Sequence, residues 1–116
     1  MLPLRLSLLA MACAAAVAAC DSPRERLDAD ALGAAERHVA SLDAEAALFE
    51  REAAAGHVSR SFVLVHRKAL ADESLQVDHE LALPAPEALR ARRDAAVLAN
   101  ARVRERVLAL GHGGDA

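Results

Sequence analysis

The chain has 116 residues, with 14 Lys and Arg against 17 Asp and Glu, two Phe, and no Trp or Tyr. Its mild acidity excludes the basic excess of a nucleic-acid-binding protein, and so few aromatic residues leave no stacking platform for single-stranded nucleic acid. We therefore expect no nucleic-acid partner. The length fits one small domain, whose core must be built from Leu, Val and Ala. Such a core is thin, and this predicts that self-association or a protein partner adds stability.

The first 20 residues contain the three parts of an export signal in the right order. Met1 to Arg5 form a short basic start, residues 6–17 form an apolar run, and Ala18 and Ala19 form a small-residue processing site before Cys20. A permanent membrane-spanning helix needs about 20 apolar residues, which this run does not reach. Cleavage is therefore the better interpretation.

Residues 17–20, Val-Ala-Ala-Cys, resemble the lipobox of bacterial lipoproteins. The resemblance implies a diacylglycerol thioether on the Cys20 sulfur, cleavage before Cys20, and an acyl chain such as palmitate on the new amino group. Two or three acyl chains hold a protein stably on a membrane, whereas one holds it only marginally. Asp21 resembles the residue that retains enteric-type lipoproteins in the inner membrane, so we expect a lipid-anchored envelope protein facing the periplasm, at the inner membrane.

Two alternatives to this lipid site remain open. The segment can be an ordinary secretory signal in which Cys20 stands by coincidence. Cys13 can also be considered, but residues 10–12, Ala-Met-Ala, form a poorer box and would cut the apolar run short. With cleavage before Cys20, Cys13 leaves with the signal. The remaining single Cys predicts a mature fold without a disulfide.

The domain boundaries predicted from the sequence are a signal peptide over 1–19, the lipidated Cys and a tether over 20–29, and a helical domain over 30–116. Residues 21–80 hold 13 acids and 7 bases, whereas residues 81–116 hold 4 acids and 6 Arg. The two parts should attract one another. Because solvated ion pairs contribute only about 0–1 kcal/mol each, this asymmetry can select a packing orientation but cannot hold the fold together.

Apolar or small residues spaced three and four apart predict a first helix over about 30–55, with Asp30 as its N-cap. The residues of this stripe are Leu32, Ala35, Val39, Leu42, Ala46, Phe49 and Ala53. The stripe degrades at Gly56, which suits the position just after a helix, and Ser59 or Ser61 can cap a new start. A second helix is predicted over about 59–82, with a face formed by Val63, His66, Leu70, Val77 and Leu81.

Pro84 and Pro86 predict a stop and a restart, because Pro cannot continue a helix but fits the first turn of the next one. The third helix is predicted over about 86–110. Its apolar positions are Leu89, Ala96, Val103, Val107 and Leu110, with Val97 and Leu98 beside them. Gly111, Gly113 and Gly114 follow it and favour its termination.

The fold class is therefore all-α, and two architectures fit the pattern. Three separate helices can close into a small antiparallel bundle. Alternatively, the first two helices continue through Gly56 as one rod and form a long helical hairpin with the third, since a single Gly costs only about 1 kcal/mol. The rod would leave Leu32, Val39 and Leu42 exposed unless a second copy or a partner covered them.

The chain shows no recognisable catalytic or metal-binding motif. None of the five His follows a Glu by three residues, as a di-iron bundle requires, and Leu83 stands where a zincin helix after His79 needs its second His. No Gly-x-Ser-x-Gly context of a nucleophile elbow surrounds Ser41, Ser59, Ser61 or Ser74, and no glycine loop precedes a helix. We expect a structural or protein-interaction subunit that is not an enzyme and holds no cofactor. The alternative is a helical periplasmic domain that binds a small ligand or a metal.

Four residues are candidates for interaction: Asn100, Phe49, Arg92 and Arg93. Asn100 falls on the apolar stripe of the third helix, where a single polar group can fix the register or number of partners, although a solvent-edge position fits equally well. The Arg residues of the third helix can meet anionic lipid headgroups or an acidic partner, or form a solvated face paired with the acidic first helix. The expected partners are the membrane, through acylated Cys20, and a second copy or another envelope protein.

Residues 49–57, Phe-Glu-Arg-Glu-Ala-Ala-Ala-Gly-His, resemble the start of the helical periplasmic domain of unknown function DUF4142, which has a ferritin-like bundle. The resemblance implies a helical domain of the cell envelope.

Overall fold

The computed structural model describes residues 25–112, so the signal, Cys20 and the last four residues lie outside the described part. The described residues form three helices, α1 (Ala29–Ala54), α2 (Arg60–Leu81) and α3 (Glu87–Leu108). At 1.5 Å per residue, these helices are roughly 39, 33 and 33 Å long. The all-α prediction is confirmed, and each predicted helix boundary lies within two residues of the observed one.

The N-cap of α1 is Asp28, and the prediction of Asp30 was wrong. Asp28 has an extended backbone, and its Oδ1 accepts the N–H of Ala31 at 2.7 Å. The preceding Leu27 is buried and donates its N–H to the carbonyl of Pro84 at 3.0 Å, so the chain is fixed to the bundle before the helix begins. Asp30 instead lies in the first turn, where a negative charge favours the helix dipole.

The break between α1 and α2 is built by Gly56 and Ser59. Gly56 has a φ of +73° and donates its N–H to Ala53, while His57 donates to the carbonyl of Glu52 at 2.9 Å. These two bonds form the Schellman motif that ends helices at a left-handed glycine. Ser59 then caps α2, with its Oγ accepting the N–H of Phe62 at 3.2 Å. Two helices therefore form here, and the continuous rod does not.

The three helices run up, down and up. Arg92 pairs with Glu36 and Arg106 pairs with Glu50, each across the same sequence separation of 56 residues, which shows that α1 and α3 are parallel. The helix α2 lies antiparallel to both. This closure buries Leu32 and Leu42 within one chain, and the hairpin alternative would have left both exposed.

The core contains Leu, Val and Ala and no aromatic residue within 25–112. Its buried apolar residues are Leu27, Ala31, Leu32, Ala35, Val39, Leu42, Ala46, Val63, Leu70, Val77, Leu81, Ala96, Val103, Val107 and Leu110. Phe49 is only partly buried and Phe62 is exposed, so both rings pack outside this set. The core is therefore built from Leu, Val and Ala, as the composition predicts.

Candidate interaction surfaces

A polar junction lies inside the bundle between α2 and α3. Asn100 has 0% of its surface exposed and donates from Nδ2 to the Ser74 carbonyl at 2.9 Å and to Asp78 Oδ1 at 2.7 Å. Its Oδ1 accepts the hydroxyl of Ser74 at 3.0 Å. Arg104 completes the group by donating to the second carboxylate oxygen of Asp78. Of the two readings of Asn100, the solvent edge is excluded, because the side chain joins two helices of its own chain.

This polar junction is fully satisfied. Within residues 25–112, no buried side-chain nitrogen or oxygen lacks a hydrogen-bond partner. A buried amide costs free energy unless it is bonded, and a satisfied buried network fixes one arrangement of the helices. The junction therefore sets the register of α3 against α2. The sequence pattern did not identify Ser74 and Asp78 as members, although Ser74 stands at a core position of α2.

A row of ion pairs joins α1 to α3. Glu36, Asp43 and Glu50 follow one another at intervals of seven residues along α1. Arg92 bonds Glu36, while Arg106 bonds both Asp43, at 3.0 Å, and Glu50, at 2.8 Å. The hydrogen bond from Arg92 lowers the pKa of Glu36 below its ordinary value, and Arg106 does the same to the pKa of Glu50. The attraction expected between the acidic and the basic part of the chain occurs at this row.

The arginines of α3 point in different directions and do not share one surface. Arg92 and Arg106 face α1, whereas Arg104 faces α2. Arg93, a candidate interaction residue, pairs with its neighbour Asp94 at 2.9 Å and keeps a quarter of its side chain exposed. Paired guanidinium groups of this kind offer less free charge to an anionic surface than the sequence alone suggests.

Three rings meet where α1 ends and α2 begins. Phe49, another candidate interaction residue, stacks on His66 with centroids 5.0 Å apart and meets Phe62 at 5.9 Å. Phe62 and His66 are 4.3 Å apart. The ring of Phe62 remains 45% exposed. Aromatic side chains of this kind, partly packed and partly open to solvent, are enriched at protein interfaces.

Three of the other four described histidines contact acids or an arginine. His38 lies 3.1 Å from Glu73, and His57 lies 2.8 Å from Glu52. His112 meets Arg67 at 3.2 Å. Across residues 25–112 there is no group of three or more His, Cys, Asp or Glu able to hold a metal ion.

Several large apolar side chains remain exposed on the outside of the bundle. They are Leu48, Phe62, Val65, Leu75, Val97, Leu98 and Leu108. Val97 and Leu98 belong to the apolar run predicted beside the α3 stripe, and the structure places both outside the core. Scattered exposed Leu residues are ordinary, so the arrangement of these residues matters more than their number.

An open cleft of about 390 Å³ lies near the end of the bundle where α1 and α3 finish. Its walls are mostly apolar, and Glu50 and Arg60 contribute the charged groups. The apolar lining comes from Ala53, Ala54, Val58, Val63, Ala109, Leu110 and Gly111. This volume is in the range of small-ligand sites, which are usually more enclosed.

Cys20, Asp21 and the predicted signal lie outside the described residues, so the structure places none of them. Within the described part, no helix combines the length and the apolar character needed to cross a membrane. The segment that resembles DUF4142 spans the end of α1 and the Gly56 turn. No family model, no curated protein and no solved structure matches this chain.

Proposed function

We propose that this chain is a lipid-anchored helical protein of the periplasm that serves as a structural or protein-interaction subunit of the cell envelope. The lipobox sequence at residues 17–20 supports the anchor. The observation that carries the interaction role is the combination of a core without aromatic residues and large apolar side chains left outside it. A small domain with so thin a core gains stability when a partner covers such residues.

The polar groups of the bundle also support this role over a catalytic one. Asn100 bonds both Ser74 and Asp78, and three arginines of α3 bond acids on the neighbouring helices, namely Arg92, Arg104 and Arg106. Catalytic groups are usually found with perturbed pKa values in a concave site, where they face a substrate. In this bundle the polar side chains of the junction and of the ion-pair row join helices together.

The anchor is tested by expressing the full chain in a bacterium with two membranes and measuring its intact mass. We expect a species that begins at Cys20 and carries acyl chains, and we expect it to enter the detergent phase on partitioning. The variant C20S should lose both the acyl mass and the detergent partitioning. The matched control C13S should behave as the unchanged chain, because Cys13 is removed with the signal. A mass that retains Met1, or an unmodified thiol on Cys20, would contradict the proposal.

A small-ligand domain is the alternative, and the cleft between the ends of α1 and α3 is the observation that favours it. A ligand that binds only the folded state raises stability in proportion to the logarithm of its concentration. A screen of apolar carboxylates by thermal unfolding would test this. A rise in melting temperature that A54W abolishes, by filling the cleft, would support the alternative over the interaction role.

A further inference from the structure

The helix α2 has two opposite faces with the same spacing. Its inner face follows positions 63, 67, 70, 74, 77 and 81, of which all but Arg67 are buried. The face turned away from the bundle follows the same four-three spacing and is exposed at every position; we name it the outer seam. Its residues are Ser61, Val65, Lys68, Asp72, Leu75 and His79. A four-three spacing is the spacing by which one helix packs along another.

The residue types along the outer seam follow the same order from either end. Reading inward from both ends, a polar residue is followed by an apolar residue and then by a charged residue, with Lys68 on one side of the centre and Asp72 on the other. We propose that a second copy of this chain packs on the outer seam, with the two α2 helices antiparallel. This proposal rests on the proposed interaction role and does not require the acyl anchor.

The antiparallel register gives each apolar and each charged residue of the seam a complementary partner in the second copy. It places Val65 against Leu75 of the second copy, twice, and Lys68 against Asp72 of the second copy, twice. Val65 is the most exposed large apolar residue of the described part, at 69%, and Leu75 is 47% exposed. A parallel register would instead place Lys68 against Lys68 and Asp72 against Asp72. Like charges in facing positions disfavour that arrangement, so charge selects the antiparallel one.

The charged centre contributes selectivity more than affinity. Within one copy, Lys68 already bonds Asp72 at 2.8 Å, and both side chains are well exposed. A second copy offers each charge another partner at little extra gain, because exposed pairs contribute little. The free energy of association must therefore come from four apolar side chains, Val65 and Leu75 of each copy. We expect modest affinity in dilute solution, and a higher dimer fraction where copies are concentrated on one membrane.

The anchor restricts how such a dimer can lie. Seven peptide units separate Cys20 from buried Leu27, and they span at most about 25 Å. In an upright antiparallel pair, the second anchor would start near the far end of a helix about 33 Å long. This distance exceeds the tether. With both Cys20 residues acylated in one membrane, the pair therefore cannot stand upright and must tilt towards the surface.

The proposal is tested by changing the charges at positions 68 and 72 and measuring the co-purification of two differently tagged full-length copies. We expect K68E to co-purify poorly with K68E, and D72K poorly with D72K, because each homodimer then contains facing like charges. Copies of K68E and D72K together should recover co-purification, about tenfold above either variant with itself. The double variant K68D/D72K should pair like the unchanged chain. If the mixed pair recovers nothing, the residues act only within one helix and the proposal fails.

Cysteine crosslinking tests the register in the same membranes. Under mild oxidation, V65C expressed with L75C should give a crosslinked heterodimer, whereas V65C alone should give little. The unchanged chain controls for any contribution of Cys20. Crosslinking of V65C with itself in preference to L75C would show a parallel pair and overturn the proposal. Copies that partition as lipoproteins but give no crosslink between V65C and L75C in the membrane would also overturn it, while leaving the anchor and a different envelope partner in place.

Discussion

The Nδ2 atom of Asn100 lies 2.7 Å from Oδ1 of Asp78, so an amide with no exposed surface is bonded to a carboxylate at the edge of the bundle. The amide can make this bond only when α3 sits at one height against α2. A shift of α3 by one turn would bury the amide without its partners. This contact therefore specifies one register of α3 against α2. The Val and Leu side chains around it can pack in more than one register and do not specify it.

Replacing Asn100 by Ala should lower the free energy of unfolding by about 1–3 kcal/mol, because the hydroxyl of Ser74 and one oxygen of Asp78 lose a buried partner. Urea unfolding of residues 21–116, followed by far-UV circular dichroism, measures the loss. The matched control is Q76A, which removes an exposed amide from α2 and should change stability by less than about 0.5 kcal/mol. Equal losses for the two variants would contradict the structural role of the junction.

Three glycines should respond differently to Ala. Gly56 has a φ of +73° with nothing within 4 Å of an added Cβ, so G56A should cost about 1 kcal/mol through the backbone alone. Gly111 has a φ of +83°, and its Cβ would also lie 3.2 Å from Leu64, so G111A should cost more. Gly33 lies inside α1 with an ordinary φ, and G33A should stabilise the protein by up to about 1 kcal/mol.

Thermal unfolding of these three variants under one condition gives the ranking. We expect the highest melting temperature for G33A, followed by the unchanged chain, then G56A and then G111A. If G56A were neutral, the left-handed turn would not be needed, and α1 and α2 could continue as the single rod that the sequence also allows.

The helices could be predicted because their limits depend on local chemistry. The left-handed conformation at Gly56, the hydroxyl of Ser59 and the ring of Pro86 act within a few residues of themselves. The N-cap of α1 could not be chosen in this way. Asp28 and Asp30 are both good caps, and the burial of Leu27 against another part of the chain decides between them.

The candidate site was predictable only in part. Asn100 stands on an apolar stripe, which marks it from the sequence, but its partners Ser74 and Asp78 depend on how α2 and α3 are placed side by side. The same holds for Phe49, whose contacts with Phe62 and His66 arise only when the chain reverses at Gly56. Periodicity identifies which face of a helix is covered, and it does not identify which side chains meet across two helices.

Acid should remove the stabilisation that the ion-pair row supplies. Since the folded-state pKa values of Glu36 and Glu50 lie below the ordinary value of 4.5, their contribution is present above about pH 4.5 and is lost as the pH falls through the folded values. The double variant E36Q/E50Q should therefore be less stable than the unchanged chain at pH 7, and the difference should shrink towards acid pH. Urea unfolding at a series of pH values measures this.

The size of that effect is limited, because both carboxylates are more than a third exposed. Each should contribute less than about 1 kcal/mol, and added salt should reduce the contribution further. The control is E45Q, on the same helix, since Glu45 makes no ion pair within residues 25–112. A difference between E36Q/E50Q and the unchanged chain that persists at low pH would show that the glutamates act through packing and not through charge.

The two phenylalanines should differ in what they contribute. Phe49 is partly buried and packs against the core as well as against two rings, whereas Phe62 is 45% exposed. Truncating a fully buried Phe costs about 3–5 kcal/mol, so F49A should cost about 2 kcal/mol and F62A about 1 kcal/mol. Urea unfolding at low and high protein concentration separates folding from association. A loss for F62A that exceeds the loss for F49A only at high concentration would mean that the exposed ring is covered by another molecule, and the interface would then extend from the outer seam to the end of α1.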